Sequence, residues 1–340
     1  MVPYSQRVTR PPPRGRTGES TDDLDYPTLA RRRLLGPAGP RVFPVAIGGS
    51  AFGWTAAEDV AHGILDEFRS LGGNLIDTAD SYAAGRSEEI IGNWMRSRGT
   101  RDAMVVATKI GKSAEHPGLS ADAVTAAIEA SLRRLGTDRI DVLFLHADDP
   151  DVPFEETLVA VDESVRKGKV RSVGAADHSG NRVIEARIIA AQLGLTPLAA
   201  LECRYNLTHR TEFEGALAVV ADQQRLAVMP RFALDGGFLA GNYRTRAELD
   251  LNSTGNIVPG GDAETHFNRR GQRILAMLDR VAEEQDSSLA SVAIAWLLSK
   301  PSVVAPVVGA SNAGQVADLM AAVDLQLTRH QVARLDEVSA

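Results

Sequence analysis

The chain has 340 residues, 44% hydrophobic and 24% charged, with a formal net charge of −7. That is ordinary globular composition, long enough for one large α/β barrel or two smaller domains. The acid excess argues against a nucleic-acid or anionic-membrane partner, and no apolar run approaches the ~20 residues of a membrane span.

Residues 1–28 differ from the rest of the chain. Arg7, Arg10, Arg14 and Arg16 surround the prolines at 11–13, acids cluster from Glu19 to Asp25, and no apolar period runs through them. The segment reads as a flexible extension or a mis-assigned start, without the apolar stretch of a secretory signal. A barrel is expected over 29–340. Its first apolar run is Arg41 to Ile47, and Thr55 to Leu71 has helical spacing. Asn74–Ile76 is strand two, after a Gly-Gly break, and a helix from about Ser87 to Arg98 has Ser87 as its expected cap. Met104–Lys109 is strand three, followed by a helix that Ser120 caps and that runs to Leu135. Ile140–His146 is strand four, and Pro153 introduces a helix reaching Lys167. Val170–Gly174 is strand five with a helix to Leu193; Leu198–Arg204 is strand six, with a helix over Thr211–Gln224. The single cysteine, Cys203, lies in strand six; it excludes an internal disulfide framework, suits a reducing cytoplasm and reads as a packed residue. Leu226–Met229 is strand seven, and a polar loop from Gly236 to Arg270, with Gly255, Gly260 and Gly261 inside it, breaks the alternation. Two helices (about 271–285 and 289–299), strand eight (Val303–Gly309) and helices near 314–322 and 328–338 complete the chain. Eight β/α units without a linker predict a single (β/α)8 TIM barrel with extra helices and a long loop after strand seven. An open doubly wound sheet is the alternative, and Gly48-Gly-Ser-Ala-Phe-Gly53 matches its dinucleotide turn only weakly.

The C-terminal strand ends of such a barrel form its catalytic face. Strand two delivers Asp77 and, in the loop beyond, Tyr82; strand three ends in Lys109 and strand four in His146. A carboxylate, a phenol, an ammonium and an imidazole on one rim suit carbonyl reduction. The phenol is a weak acid at neutral pH, and a nearby lysine favours its ionised form, so Tyr82 can give a proton to a developing alkoxide. Asp77 would offset the charge of Lys109, and His146 would orient the carbonyl oxygen. None of the four carries hydride, so an organic cofactor is implied. No clustered metal-ligand spacing occurs, and His178 and His209 read as surface or cap residues; His146-Ala-Asp-Asp149 reads as a turn.

Asn74-Leu-Ile-Asp-Thr-Ala-Asp-Ser-Tyr-Ala-Ala-Gly-Arg-Ser-Glu-Glu89, Ala107-Thr-Lys109, Ser131 to Asp138, Ile140 to His146 and Gly168 to Gly174 together carry a resemblance. Tyr205-Asn-Leu207, Gly237 to Arg244 and Pro306 to Ser311 extend it to the C-terminus. The chain resembles the aldo-keto reductases, nicotinamide-dependent (β/α)8 barrels. The resemblance implies that Asp77, Tyr82, Lys109 and His146 are the catalytic residues, and that Asp177, Glu202, Arg231, Leu234, Gly237, Leu239, Gly309, Ser311 and Gln315 bind the cofactor. Here Ala176-Asp177 stands where the family has Ser-Asn, Glu202 where it has Gln, and Arg231 where it has an aromatic ring on the nicotinamide. Gly241-Asn-Tyr243 replaces Gly-Lys-Tyr, no cation accompanies Ser311, Asn312 and Gln315, and Asp318-Leu319 replaces the acid-Asn pair near the adenine.

These departures allow two arrangements. Either Asp177 and Glu202 accept from the carboxamide while Arg231 stacks on the ring, or Arg231 pairs with Asp177 or Glu202 and fills the slot. The expected function is reduction of an aldehyde or ketone to an alcohol by NADPH, with NADH left open. The rivals are cofactor-free acid/base catalysis (a lyase, dehydratase or isomerase) and a non-catalytic binding protein. The expected partner is a small carbonyl substrate near Trp54, Tyr82 and the 236–270 loop, with no metal, nucleic acid or membrane; the chain is expected to be a monomer or weak homo-oligomer.

Overall fold

The computed structural model describes residues 31–245, 248 and 263–340. The expected extension at 1–28 and the stretch containing Gly255, Gly260 and Gly261 lie outside the described residues. The first described elements form an antiparallel hairpin, β1 (Arg33–Leu34) and β2 (Arg41–Val42). Eight parallel strands come next: β3 (Ala46–Gly48), β4 (Leu75–Asp77), β5 (Val105–Ile110), β6 (Ile140–Leu145), β7 (Val170–Ala176), β8 (Ala200–Arg204), β9 (Ala227–Arg231) and β10 (Val307–Val308). They lie in the order β10-β3-β4-β5-β6-β7-β8-β9. The seam between β9 and β10 is closed by a bridge between Val228 and Val303, with Val304 N donating to Val228 O at 2.8 Å. Helices α1 (Glu58–Ser70), α2 (Arg86–Arg98), α3 (Ala121–Leu135), α4 (Phe154–Arg166), α5 (Gly180–Leu193) and α6 (Ala216–Gln223) each come after a strand. α7 (Arg269–Gln285) and α8 (Leu289–Leu298) come after β9, and α9 (Val316–Ala321) and α10 (Arg329–Ser339) after β10. This is the expected (β/α)8 barrel. Among the described residues, no helix is long and apolar enough to cross a membrane.

Strand alternation sorts the two faces. Ile76, Val106, Leu143, Leu201 and Val228 face outward, into the cluster shared with the helices. Leu75, Ala107, Val142, Phe144, Ala200 and Met229 form a separate interior cluster. Asp77, Lys109 and Glu202 continue the inward parity toward the C-terminal rim. The interior is lined largely by alanine, and one large ring, that of Phe144, fits because Gly174 lies opposite; a Cβ there would come within 2.4 Å of it. Leu35 and Val42, from the hairpin, are fully buried in the same interior cluster and stopper the barrel at its N-terminal end. Burying each such side chain contributes about 1.5–3 kcal/mol.

Several expected boundaries shift for local reasons. The run from Arg41 to Ile47 is two elements, split around Pro44, which has no N–H to donate. Strand eight shortens to Val307–Val308 after Pro306. The helix expected from Thr211 begins at Ala216. Ser87 does not cap α2. Its hydroxyl donates to Gly49 O at 2.8 Å from inside the helix, and the cap position is Gly85, at φ 89°. Ser120 and Thr328 do cap their helices, each side chain accepting from a backbone N–H.

Candidate active site

Lys109, next to last in β5, turns into the barrel and is fully buried. Its Nζ donates to both Asp77 carboxylate oxygens at 2.7 Å and to Thr78 O at 3.0 Å. Glu202 reaches it from β8, with Oε2 3.2 Å from Nζ. Two acids therefore share one ammonium, and all three side chains are at most 2% exposed. Burial alone would lower the lysine, but Asp77, Glu202 and Tyr82 outweigh it and hold the ammonium well above its ordinary value. Burial raises Asp77 against the opposing pull of Lys109. Burial first, and the Asp77 charge second, push the Glu202 carboxyl up to about 8, so it is mostly neutral at pH 7.

Tyr82 opens the turn after β4, where Ala83 and Ala84 adopt left-handed φ of 48° and 54° before Gly85. Such residues each cost on the order of 1–3 kcal/mol and cluster at functional sites. The Lys109 Nζ lies 5.2 Å from the Tyr82 ring centre. Lys109 favours the ionised phenol, as the sequence predicts. Burial outweighs it, with Asp77 and Glu202 adding to the rise, and the phenol is pushed up to about 12. The tuning thus runs opposite to the simple lysine argument.

His146 comes directly after β6, and its N–H donates to Ile110 O at 2.9 Å. Its ring meets Tyr82 edge-on, with centres 6.0 Å apart. Nδ1 is buried with no hydrogen-bond partner among the described residues. Burial, then the charges of Lys109, Lys112 and Arg231, lower it to about 2, so the imidazole is neutral.

Arg231 ends β9 and turns to Asp177 rather than to Glu202 for its hydrogen bonds. Its Nη2 donates to Oδ1 at 2.8 Å and Oδ2 at 2.9 Å, and its Nε to Oδ1 at 3.2 Å. Lys112 lies 3.6 Å from the same carboxylate. Asp177 and Phe232 both take φ of 54°, and the guanidinium stands 5.0 Å from the Phe232 ring centre. Leu234 is half-buried, and Gly237, at φ 96°, donates its N–H to Leu234 O at 3.0 Å. The Leu239 side chain belongs to the core. Gly309, Ser311 and Gln315 form a separate exposed stretch after β10, where Gln315 Oε1 accepts from Ser311 N at 2.8 Å.

Two clusters escape sequence reasoning. Glu88, in the first turn of α2, is fully buried and receives Thr108 Oγ1 at 2.6 Å and Arg134 Nε at 2.7 Å. Asp235, at φ 50°, accepts from Thr208 at 2.8 Å and Arg204 at 3.1 Å, and lies 2.7 Å from His266 Nε2. His209, Asp235 and His266 bring ligand-type atoms within 4.8 Å of one another, but a guanidinium already engages that carboxylate, so the group reads as a brace for the loop after β9. His209 is thus part of a network. His178, expected at the surface, is 5% exposed and stacks on Phe154. Cys203 is buried in β8, where burial pushes the thiol up and makes it inert.

The match to the Aldo/keto reductase family covers residues 44–340. The chain is similar to a norsolorinic acid reductase of Emericella nidulans, 31% identical over 328 residues covering 91% of this chain and 81% of the relative. It is also similar to an aryl-alcohol dehydrogenase [NADP(+)] of Phanerodontia chrysosporium, 32% identical over 337 residues (91% and 86%). An aryl-alcohol dehydrogenase of Pestalotiopsis microspora is 30% identical over 326 residues (91% and 82%). A barrel whose rim gathers an acid, a phenol, a buried lysine and a neutral imidazole, matched over this span, belongs to the aldo/keto reductase family and is an NAD(P)H-dependent oxidoreductase of carbonyl and alcohol groups.

Proposed function

We propose that the protein reduces an aldehyde or ketone to the alcohol with NADPH, and that Tyr82 is the acid that protonates the new alkoxide. The observation carrying this reading is the Lys109–Asp77 pair at 2.7 Å beside the Tyr82 ring, with neutral His146 edge-on to it. Lys109 steadies the phenolate as it forms, which matters because burial and the nearby acids push the phenol up to about 12 even with the lysine beside it. Asp77 holds the lysine in place. His146, uncharged, donates a hydrogen bond to the carbonyl oxygen and sets its direction without competing for the proton.

The chain's residues fit a nicotinamide. Among the described residues neither Glu202 oxygen has a hydrogen-bonded partner although both are buried, and a neutral carboxyl offers the donor and acceptor that a carboxamide needs. Asp177 is committed to Arg231, so Glu202 would hold the amide, with Arg231, Leu234 and Gly237 beside the ring and Gly309, Ser311 and Gln315 toward the adenosine. When bound, the cofactor supplies the hydride. One relative's name specifies NADP+, which supports NADPH, and relatives named for aryl alcohols and norsolorinic acid favour an aromatic carbonyl. Trp54, 48% exposed, offers such a ring a surface.

A second reading rests on the bidentate Arg231–Asp177 pair: the same cluster moves protons, or only binds, without redox chemistry. Fluorescence titration with NADPH and NADH separates the two. A dissociation constant of about 1 μM (on the order of −8 kcal/mol) supports the reductase, and no binding at ~1 mM removes it. With binding established, Tyr82→Phe is expected to cut turnover by about 10³ while cofactor affinity stays within about threefold. Persistent turnover in that variant refutes the acid assignment.

A further inference from the structure

We propose that Glu202 is the proton reserve of the site: it stores a proton beside Asp77 and returns it, through Lys109, to the phenolate of Tyr82. The inference rests on the reductase reading and adds a residue to its proton path. The geometry carries it. Asp77, Lys109 and Glu202 meet where each side chain is at most 2% exposed, and one ammonium cannot balance two carboxylates there. Asp77 takes both short bonds from Nζ at 2.7 Å and so keeps the charge. Glu202 has the longer approach, Oε2 lying 3.2 Å from the same nitrogen, and among the described residues neither of its oxygens has a hydrogen-bonded partner of good geometry. The surplus proton therefore resides on Glu202, where two acid groups within reach of one another share it only if one of them is neutral.

Among the described residues, the charged and titratable groups that face Glu202 are Asp77 and Tyr82 from the β4 side, Lys109 from β5 and Arg231 from β9, with Asp177 beyond Arg231 and Cys203 next along β8. Arg231 acts on it by charge alone, its hydrogen bonds being spent on Asp177. Protons balance across the step. Tyr82 breaks its O–H bond to protonate the alkoxide and becomes a phenolate. Lys109 passes it one N–H proton and takes the Glu202 proton in the same movement, so the ammonium persists and Glu202 ends as a carboxylate. The transfer runs downhill, since the phenolate of a group held near 12 is a stronger base than the carboxylate of one held near 8. Water returns the proton to Glu202 between turnovers. Glu202 acts through Lys109 and is in that respect a positioning residue.

Glu202→Gln keeps the shape and the hydrogen-bonding groups and removes the proton. The first test needs no cofactor. Infrared spectra of the wild-type chain should contain a carboxylic-acid carbonyl band that fades as pH rises through about 8 and is missing in Glu202→Gln. A Glu202 that is already ionised at pH 6 overturns the proposal. The second test is the pH profile of carbonyl reduction. Wild-type kcat should fall about tenfold between pH 7 and 9, whereas Glu202→Gln should be lower at pH 7 and flat over that range. A descending step retained in Glu202→Gln overturns the relay, because a merely structural loss lowers kcat without moving the profile. A wild-type protein that binds no cofactor and reduces no carbonyl removes the reductase reading and the relay with it, while the infrared result still decides where the proton is stored.

Discussion

Thr108 and Lys109 are neighbours on β5, and each ends in a buried ionic cluster on opposite faces of the strand. Outside the barrel, Thr108 meets one acid, Glu88, and one guanidinium, Arg134, whose Nη1 continues to Glu115 at 3.0 Å. Charge balances there and the Glu88 oxygens are both hydrogen-bonded. Inside, Lys109 faces two acids, one of which has no hydrogen-bonded partner among the described residues. A matched buried pair locks two helices to a strand, whereas an unmatched one leaves a proton free to move. The same residue types, one position apart, become a brace or a site according to the count of charges around them.

The largest effect expected from breaking this contrast is at the inner cluster. Lys109→Met removes the cation that Asp77 and Glu202 share, and turnover should fall about 10³ with the fold retained, checked by steady-state rates beside circular-dichroism melts. Wild-type turnover in that variant makes the inner cluster structural only. At the outer cluster the order reverses. Arg134→Met leaves buried Glu88 with Thr108 alone and should cost about 3 kcal/mol in urea unfolding, with kcat of the folded enzyme within about twofold of wild type. A loss of turnover without a loss of stability contradicts the division of labour.

The smallest effect concerns Asp80, which lies between the two. Its N–H donates to Lys109 O at 3.0 Å, and among the described residues neither carboxyl oxygen has a hydrogen-bonded partner of good geometry. Burial, then the charge of Glu88, push it up to about 7, with Arg134 opposing. The folded value is raised above the unfolded one. Its contribution to stability is therefore complete below about 4 and lost as pH rises through about 7. Asp80→Asn should raise the unfolding free energy in urea at pH 8 relative to wild type, by on the order of 1–2 kcal/mol, with a smaller advantage at pH 5. An equal change at both pH values disposes of the titration argument.

The barrel is legible because alternation, glycine breaks and eight repeats are local signals that survive in one dimension. Pro44 and Pro306 shorten strands that apolar content alone extends. Ser87 looks like a cap because its true acceptor, Gly49 O, comes from another loop. Asp77 and Lys109 are readable as strand-end residues of the right parity. The protonation of Glu202 is not, since it depends on an acid and a lysine brought from two other strands. The Tyr82 phenol misleads for a related reason: the lysine beside it is visible in a motif, and the burial that outweighs it is not. Arg134 lies in a matching motif, but its pairing with Glu88 requires both helices in place.

The hairpin that fills the lower end of the barrel with Leu35 and Val42 gives the enzyme a floor. A barrel plugged below and packed within is open to solvent chemistry only at the opposite rim, so whatever the site takes in and whatever it gives out share that one mouth.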